Sequence, residues 1–166
     1  MKSLSIKPLN REGFAPFGDV IEMEGHQASP MNYGMAERYH ALAQVEVLGD
    51  DANGIISLVK SYQYSMPHTV KIIERHPLGS QAFIPLDETP FIVIVAPADD
   101  ELNPAAIQGF KTNGKQGINY HRGVWHCPLL TPLAQMNFVC IERAGKGNNC
   151  DEVELTAEEQ YLLDEI

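Results

Sequence analysis

At 166 residues, with 44% hydrophobic and 20% charged residues, the chain has the balance of a folded globular protein and the length for one domain, 1–166, rather than two. A formal net charge of −10 at pH 7 opposes phosphate backbones and anionic lipid surfaces, which excludes nucleic acid and membranes as expected partners. No apolar run nears the ~20 residues of a bilayer span and the N-terminus lacks a secretory layout, so a cytoplasmic location is expected.

In chain order, Asn10 followed by Arg11-Glu12-Gly13-Phe14-Ala15-Pro16-Phe17 and Gly18 predicts a short helical turn with a cap at each end, and Asp19-Val20-Ile21 a short strand. Glu24 to Met35, rich in Gly, Ser, Pro and Asn, has no period and is expected to be a loop. Strands then dominate. Val45–Leu48, Ile55–Tyr64, Val70–His76, Gln81–Ile84, Phe91–Ala96 and Leu133–Ile141 are β-branched or aromatic runs bounded by turn residues. Phe91-Ile92-Val93-Ile94-Val95 is apolar on both parities and predicts a central strand covered on both faces. Asn103 before Pro104 starts a short helix, and Asn113-Gly114 marks a tight turn. Thr156-Ala157-Glu158-Glu159 reads as a capping box, predicting a final helix through Tyr161, Leu162 and Leu163. The expected fold is mainly β, an antiparallel sandwich or barrel with a few short helices.

Two histidine-bearing stretches stand out, Glu74-Arg75-His76-Pro77-Leu78-Gly79-Ser80-Gln81 and His121-Arg122-Gly123-Val124-Trp125-His126. Polar groups in apolar, strand-like sequence are costly to bury unless they serve a site or a paired network. With a side-chain period of two, Glu74 and His76 share a face and Arg75 points away. The turn at 77–80 folds Gln81 back toward them, and Gly123 permits a close turn that sends His126 into the next strand. His76, His126, Glu74 and Gln81 are therefore the candidate catalytic residues. The alternative for each histidine is a core imidazole bonded to backbone. His121, Tyr120 and Asn119 either fix the turn before Gly123 or face the site, and His40 stays open between packing and a pocket wall. His26 and His68 read as exposed imidazoles, and Trp125 as packing. Cys127, Cys140 and Cys150 are odd in number with no C-x-x-C spacing, which favours reduced, inert thiols.

Over almost its whole length the chain resembles the ureidoglycolate lyase family: through Asn32 and Gly34, Glu37-Arg38-Tyr39-His40, Glu74 to Pro85, Thr112-Asn113-Gly114, Gln116 to Leu129 and Arg143 to Asp151. The resemblance implies a cupin-like antiparallel β-barrel (a double-stranded β-helix), a homodimer, and a lyase that splits the small anion ureidoglycolate into glyoxylate and urea in allantoin and purine breakdown. It also implies a divalent metal, Ni²⁺, and no organic cofactor. Cupins place His-x-His, a later Glu and a further His on the metal. Here the corresponding set is Glu74, His76, Gln81 and His126, so one histidine is replaced by a carboxylate and the glutamate by an amide.

On that reading an imidazole, His76 or His126, removes the carbinol proton, or both become ligands if a metal is bound. A cation must hold the substrate carboxylate. Arg38 or Arg143 is the first choice and Lys60 the second, with Asn32 and Tyr120 as further substrate contacts. Two other functions compete: an amidohydrolase releasing ammonia, and a non-catalytic cupin-like protein that binds a small carboxylate.

Overall fold

The computed structural model describes residues 2–164. The early strands are β1 (Lys2–Ser3), β2 (Ile6–Pro8), β3 (Gly18–Ile21), β4 (Ser29–Met31), β5 (Ala36–Arg38), β6 (Asn53–Tyr62), β7 (His68–Val70) and β8 (Ile72–Arg75). They are followed by β9 (Gln81–Pro85), β10 (Ile92–Ala96), β11 (Gln108–Lys111), β12 (Gly117–Tyr120), β13 (Trp125–His126), β14 (Gln135–Ala144), β15 (Asp151–Glu154) and β16 (Tyr161–Leu163). One four-residue helix, α1 (Arg11–Phe14), is capped as expected by the Asn10 side chain, which accepts from the Gly13 N–H at 2.8 Å. The mainly β expectation holds.

Six strands in the order β15-β8-β13-β10-β11-β2 form one sheet, and five in the order β3-β12-β9-β14-β6 form a second. Between them lies the larger core, where Val93, Val95 and Phe110 of the first sheet meet Phe83, Tyr120 and Phe138 of the second. The alternate residues of β10, Ile92, Ile94 and Ala96, belong to a second core with Val70, Tyr161 and Leu163. The strand predicted to be apolar on both parities thus divides two cores, and all five of its residues are buried. A small sheet, β1-β16-β7, closes the second core.

Three expectations are corrected. The capping box forms, with Thr156 N–H and Oγ1 bonded to Glu159 at 2.9 and 2.7 Å, but the chain makes only one turn. Tyr161 and Leu163 then pair as a strand with Val70 and His68, where two buried side chains gain more than one exposed helical turn supplies. Val45–Leu48 is no strand: only Val47 makes a bridge, to Gly79, while Glu46 and Leu48 bond the turn at 78–80. The supposed loop at 24–35 instead contains β4, which pairs with β5 as a hairpin around a 3₁₀ turn at Asn32–Gly34.

Candidate active site

Register places the key groups. His126 on β13 lies directly opposite Glu74 on β8, and its other neighbour is Val95, a residue of the core between the two large sheets. Glu74 and His126 therefore face the second sheet. There, Tyr120, Gln81 and Glu142 form one cross-strand row, since Gln81 pairs with Tyr120 on one side and Glu142 on the other. The positive φ of Gly123, 78°, makes the turn that carries the chain into β13.

The result is a cluster in which one ligand-capable atom each of Glu74, His76 and His126 lies within 4.8 Å of the others. Both imidazoles are oriented from behind. His126 Nδ1 donates to Val124 O at 2.9 Å, and His76 Nδ1 donates to Asn149 O at 2.6 Å. His126 Nε2 is left buried with no hydrogen-bond partner, 3.6 Å from Glu74 Oε1, and His76 Nε2 lies 3.2 Å from Gln81 Oε1. Two imidazoles fixed by backbone acceptors, one facing the Glu74 carboxylate and the other the Gln81 amide oxygen, form with Glu74 a donor set suited to a divalent first-row metal. The orphaned His126 nitrogen is the observation that fits the residues to such an ion.

Burial pushes the His126 pKa down to about 3, against the opposing bond to Val124, so the ring stays neutral and able to ligate at working pH. The same shift makes it a poor general base, which performs best with a pKa near the operating pH. Burial also raises the Glu74 pKa, with the His76 charge opposing. Tyr120 stacks on His126 with ring centroids 4.2 Å apart and planes 14° from parallel. Its hydroxyl is buried and unpartnered, and desolvation raises its pKa so that it keeps its proton.

Glu74, Gln81, Tyr120 and His126 line a cavity of about 490 Å³ with Glu142, Tyr64, Cys127 and Leu129. His76 adjoins it through Gln81 without lining it. Gln81 is a bridge: its Oε1 faces His76 and its Nε2 donates to Glu142 at 3.1 Å, while Ser57 Oγ donates to the other Glu142 oxygen at 3.4 Å.

The structure brings Glu74, His76, Gln81, His126 and Tyr120 together and leaves the expected carboxylate clamps elsewhere. Arg143 follows Glu142 on β14 and so points to the opposite face; it is buried and donates to the backbone oxygens of Leu48 and Lys146. Its work is to tie those loops together. Arg143→Ala is accordingly expected to cost about 1.5–3 kcal/mol of stability in urea denaturation, the worth of charged hydrogen bonds, with KM near wild type. Lys60 borders the cavity, but its β6 neighbours Val59 and Ser61 take the inner parity, leaving its side chain on the outer face. Arg38 and Asn32 lie exposed on the β4–β5 hairpin. Arg75, as expected, faces away: it pairs with Asp151 at 2.9 Å and covers Trp125 at 4.6 Å. His121 pairs with Asp19 at 3.1 Å in a separate depression. The three cysteines are free thiols.

Sequence reasoning missed Glu142 and Asn149. Glu142 carried a signal, a carboxylate on the parity of buried Phe138 and Cys140. Asn149 carried none, since its backbone oxygen holds His76 and its side chain accepts from Leu78 N at 2.8 Å.

Comparison with known proteins matches residues 1–162 to the family model described as ureidoglycolate lyase. The curated ureidoglycolate lyase of Pseudomonas paraeruginosa is 52% identical over 164 residues, covering 99% of this chain and 97% of its own. Those of Pseudomonas aeruginosa and Stutzerimonas stutzeri are 51% and 50% identical, each covering 99% of this chain and 97% and 96% of their own.

Proposed function

This chain belongs to the ureidoglycolate lyase family, and on that premise we propose that its carbon–nitrogen bond cleavage takes place in the cavity over Glu74, His76 and His126. The observation that carries the placement is the buried, partnerless His126 Nε2 aimed at Glu74 beside the unpartnered Tyr120 hydroxyl. The chain acts as one domain, 1–166, and as a cytoplasmic homodimer. No helix among the described residues is long and apolar enough to cross a membrane.

Ureidoglycolate carries a hydroxyl, a carboxylate and a urea nitrogen on one carbon. Cleavage removes the hydroxyl proton, forms the glyoxylate carbonyl, breaks the C–N bond with its electron pair going to nitrogen, and protonates that nitrogen to release urea. No water is consumed. Glu74, His76 and His126, with the Gln81 amide beside them, are the residues that would hold a divalent ion, and imidazole ligands suit Ni²⁺. When bound, the ion stabilises negative charge developing on the carbinol oxygen.

The chain's own groups then divide the remaining work. Glu142, fixed by Gln81 and Ser57, is the carboxylate outside the cluster and accepts the hydroxyl proton at an Oε atom. Tyr120, held protonated by burial, donates a hydrogen bond rather than a proton, and the proton that Glu142 has taken is passed to the departing urea nitrogen. Phe83 and Leu129 help exclude water from the cavity wall.

Product analysis tests this function. Purified protein is expected to convert ureidoglycolate to stoichiometric urea and glyoxylate faster than spontaneous decay. Ammonia without urea, in a urease-free preparation, points instead to the amidohydrolase, and decay at the spontaneous rate to a binding protein.

A further inference from the structure

The β4–β5 hairpin is a folded arm whose tip packs against no core among the described residues. Every residue from Ser29 to Arg38 except Ala36 is exposed, and its apolar tip is bare: Tyr33 is 108% and Met35 87% exposed. Asn32 and Tyr33 also hold left-handed backbone, with φ of 51° and 57°, a conformation disfavoured for residues other than glycine. Exposed apolar side chains of this size, gathered on one arm, mark a docking element.

A receiving surface exists on the same molecule. β6 is the last strand of its sheet, ten residues long with one edge unpaired, and its outer face exposes Ile56 at 76% and Leu58 at 77%. Long apolar edges of this kind are templates for association. The same strand borders the active-site cavity through Val59 and Ser61.

The cavity's inner face is short of positive charge. Among the described residues its inner face carries two carboxylates, Glu74 and Glu142; Arg143 points away, and the one cation in its lining, Lys60, has the outer strand parity and sits at the rim. Two carboxylates offset a divalent ion, which leaves the substrate carboxylate without a counter-charge.

We propose that the hairpin of a second copy docks on β6 and delivers Arg38 to the cavity mouth, where its guanidinium fork grips the substrate carboxylate in trans. This rests on the cavity being the site of cleavage. With a net charge of −10 on each copy, uncharged surfaces such as Tyr33, Met35, Ile56 and Leu58 are the ones on which two copies can meet.

Complementation tests it. Arg38→Ala and His126→Ala are each expected to be impaired as homodimers. Co-expressed with two different non-histidine tags and purified through both, their mixed dimer is expected to regain about half of wild-type activity, because one of its two sites joins an intact pocket to an intact Arg38. Glu74→Gln replaces His126→Ala in the same design should the latter fold poorly. A mixed dimer no more active than its parents, wild-type kinetics for Arg38→Ala, or a chain that is monomeric at assay concentration would overturn the proposal. Failure of the cavity assignment is distinguishable: His126→Ala and Glu74→Gln would then both retain full activity.

Discussion

Replacing His126 by alanine is expected to lower kcat/KM for ureidoglycolate by at least about 10–100-fold, the loss in activity that follows even when a group behind a metal ligand is removed. It is also expected to weaken retention of the divalent ion by at least about 10–100-fold, since even the groups behind a ligand are worth that much. Both effects trace to one atom. Nδ1 is committed to Val124 O, so Nε2 is the face presented to Glu74, and nothing else among the described residues satisfies it. Steady-state kinetics with elemental analysis of tag-free protein reads the two losses together, and near-ultraviolet circular dichroism checks that the core persists. Wild-type activity with full metal content in a folded His126→Ala protein would remove this residue from the site.

Phe138→Ala is expected to cost about 3–5 kcal/mol, the usual loss for truncating a fully buried phenylalanine. Phe138 is 0% exposed and meets Phe91 and Phe83 edge-on, with ring centroids 5.1 and 6.2 Å away. It lies on the same β14 face as Cys140 and Glu142, so the packing that holds the sheets together also sets the cavity wall. Denaturant titration measures the loss. Leu86→Ala, at a 58%-exposed position, is the control and is expected to stay within about 0.5 kcal/mol of wild type. Similar small losses at both positions would contradict the core assignment.

The half of the site built by strand parity was legible before any coordinates. Glu74 and His76 share a face, Arg75 turns away, Gln81 returns across the 77–80 turn, and His126 enters a strand after Gly123, because a period of two fixes where alternate side chains point. The same rule, applied along Gln135–Ala144, would have found Glu142 and withdrawn Arg143. What no local pattern reveals is competition between distant partners. The Thr156 box is satisfied, yet Tyr161 follows it into a strand because Val70, far off in sequence, offers a paired and buried place. Nor does periodicity expose the hairpin at Ser29–Arg38, whose turn and apolar tip belong to neither core of the described residues.

The most direct measurement is a crystal structure of the metal-loaded protein with glyoxylate bound. The product is expected inside the cavity between the two large sheets, beside an ion on Glu74, His76 and His126 and within reach of the Tyr120 hydroxyl. Glyoxylate seated instead in the depression lined by Asp19, His121 and Arg122, with the cavity holding neither ion nor product, would contradict the account.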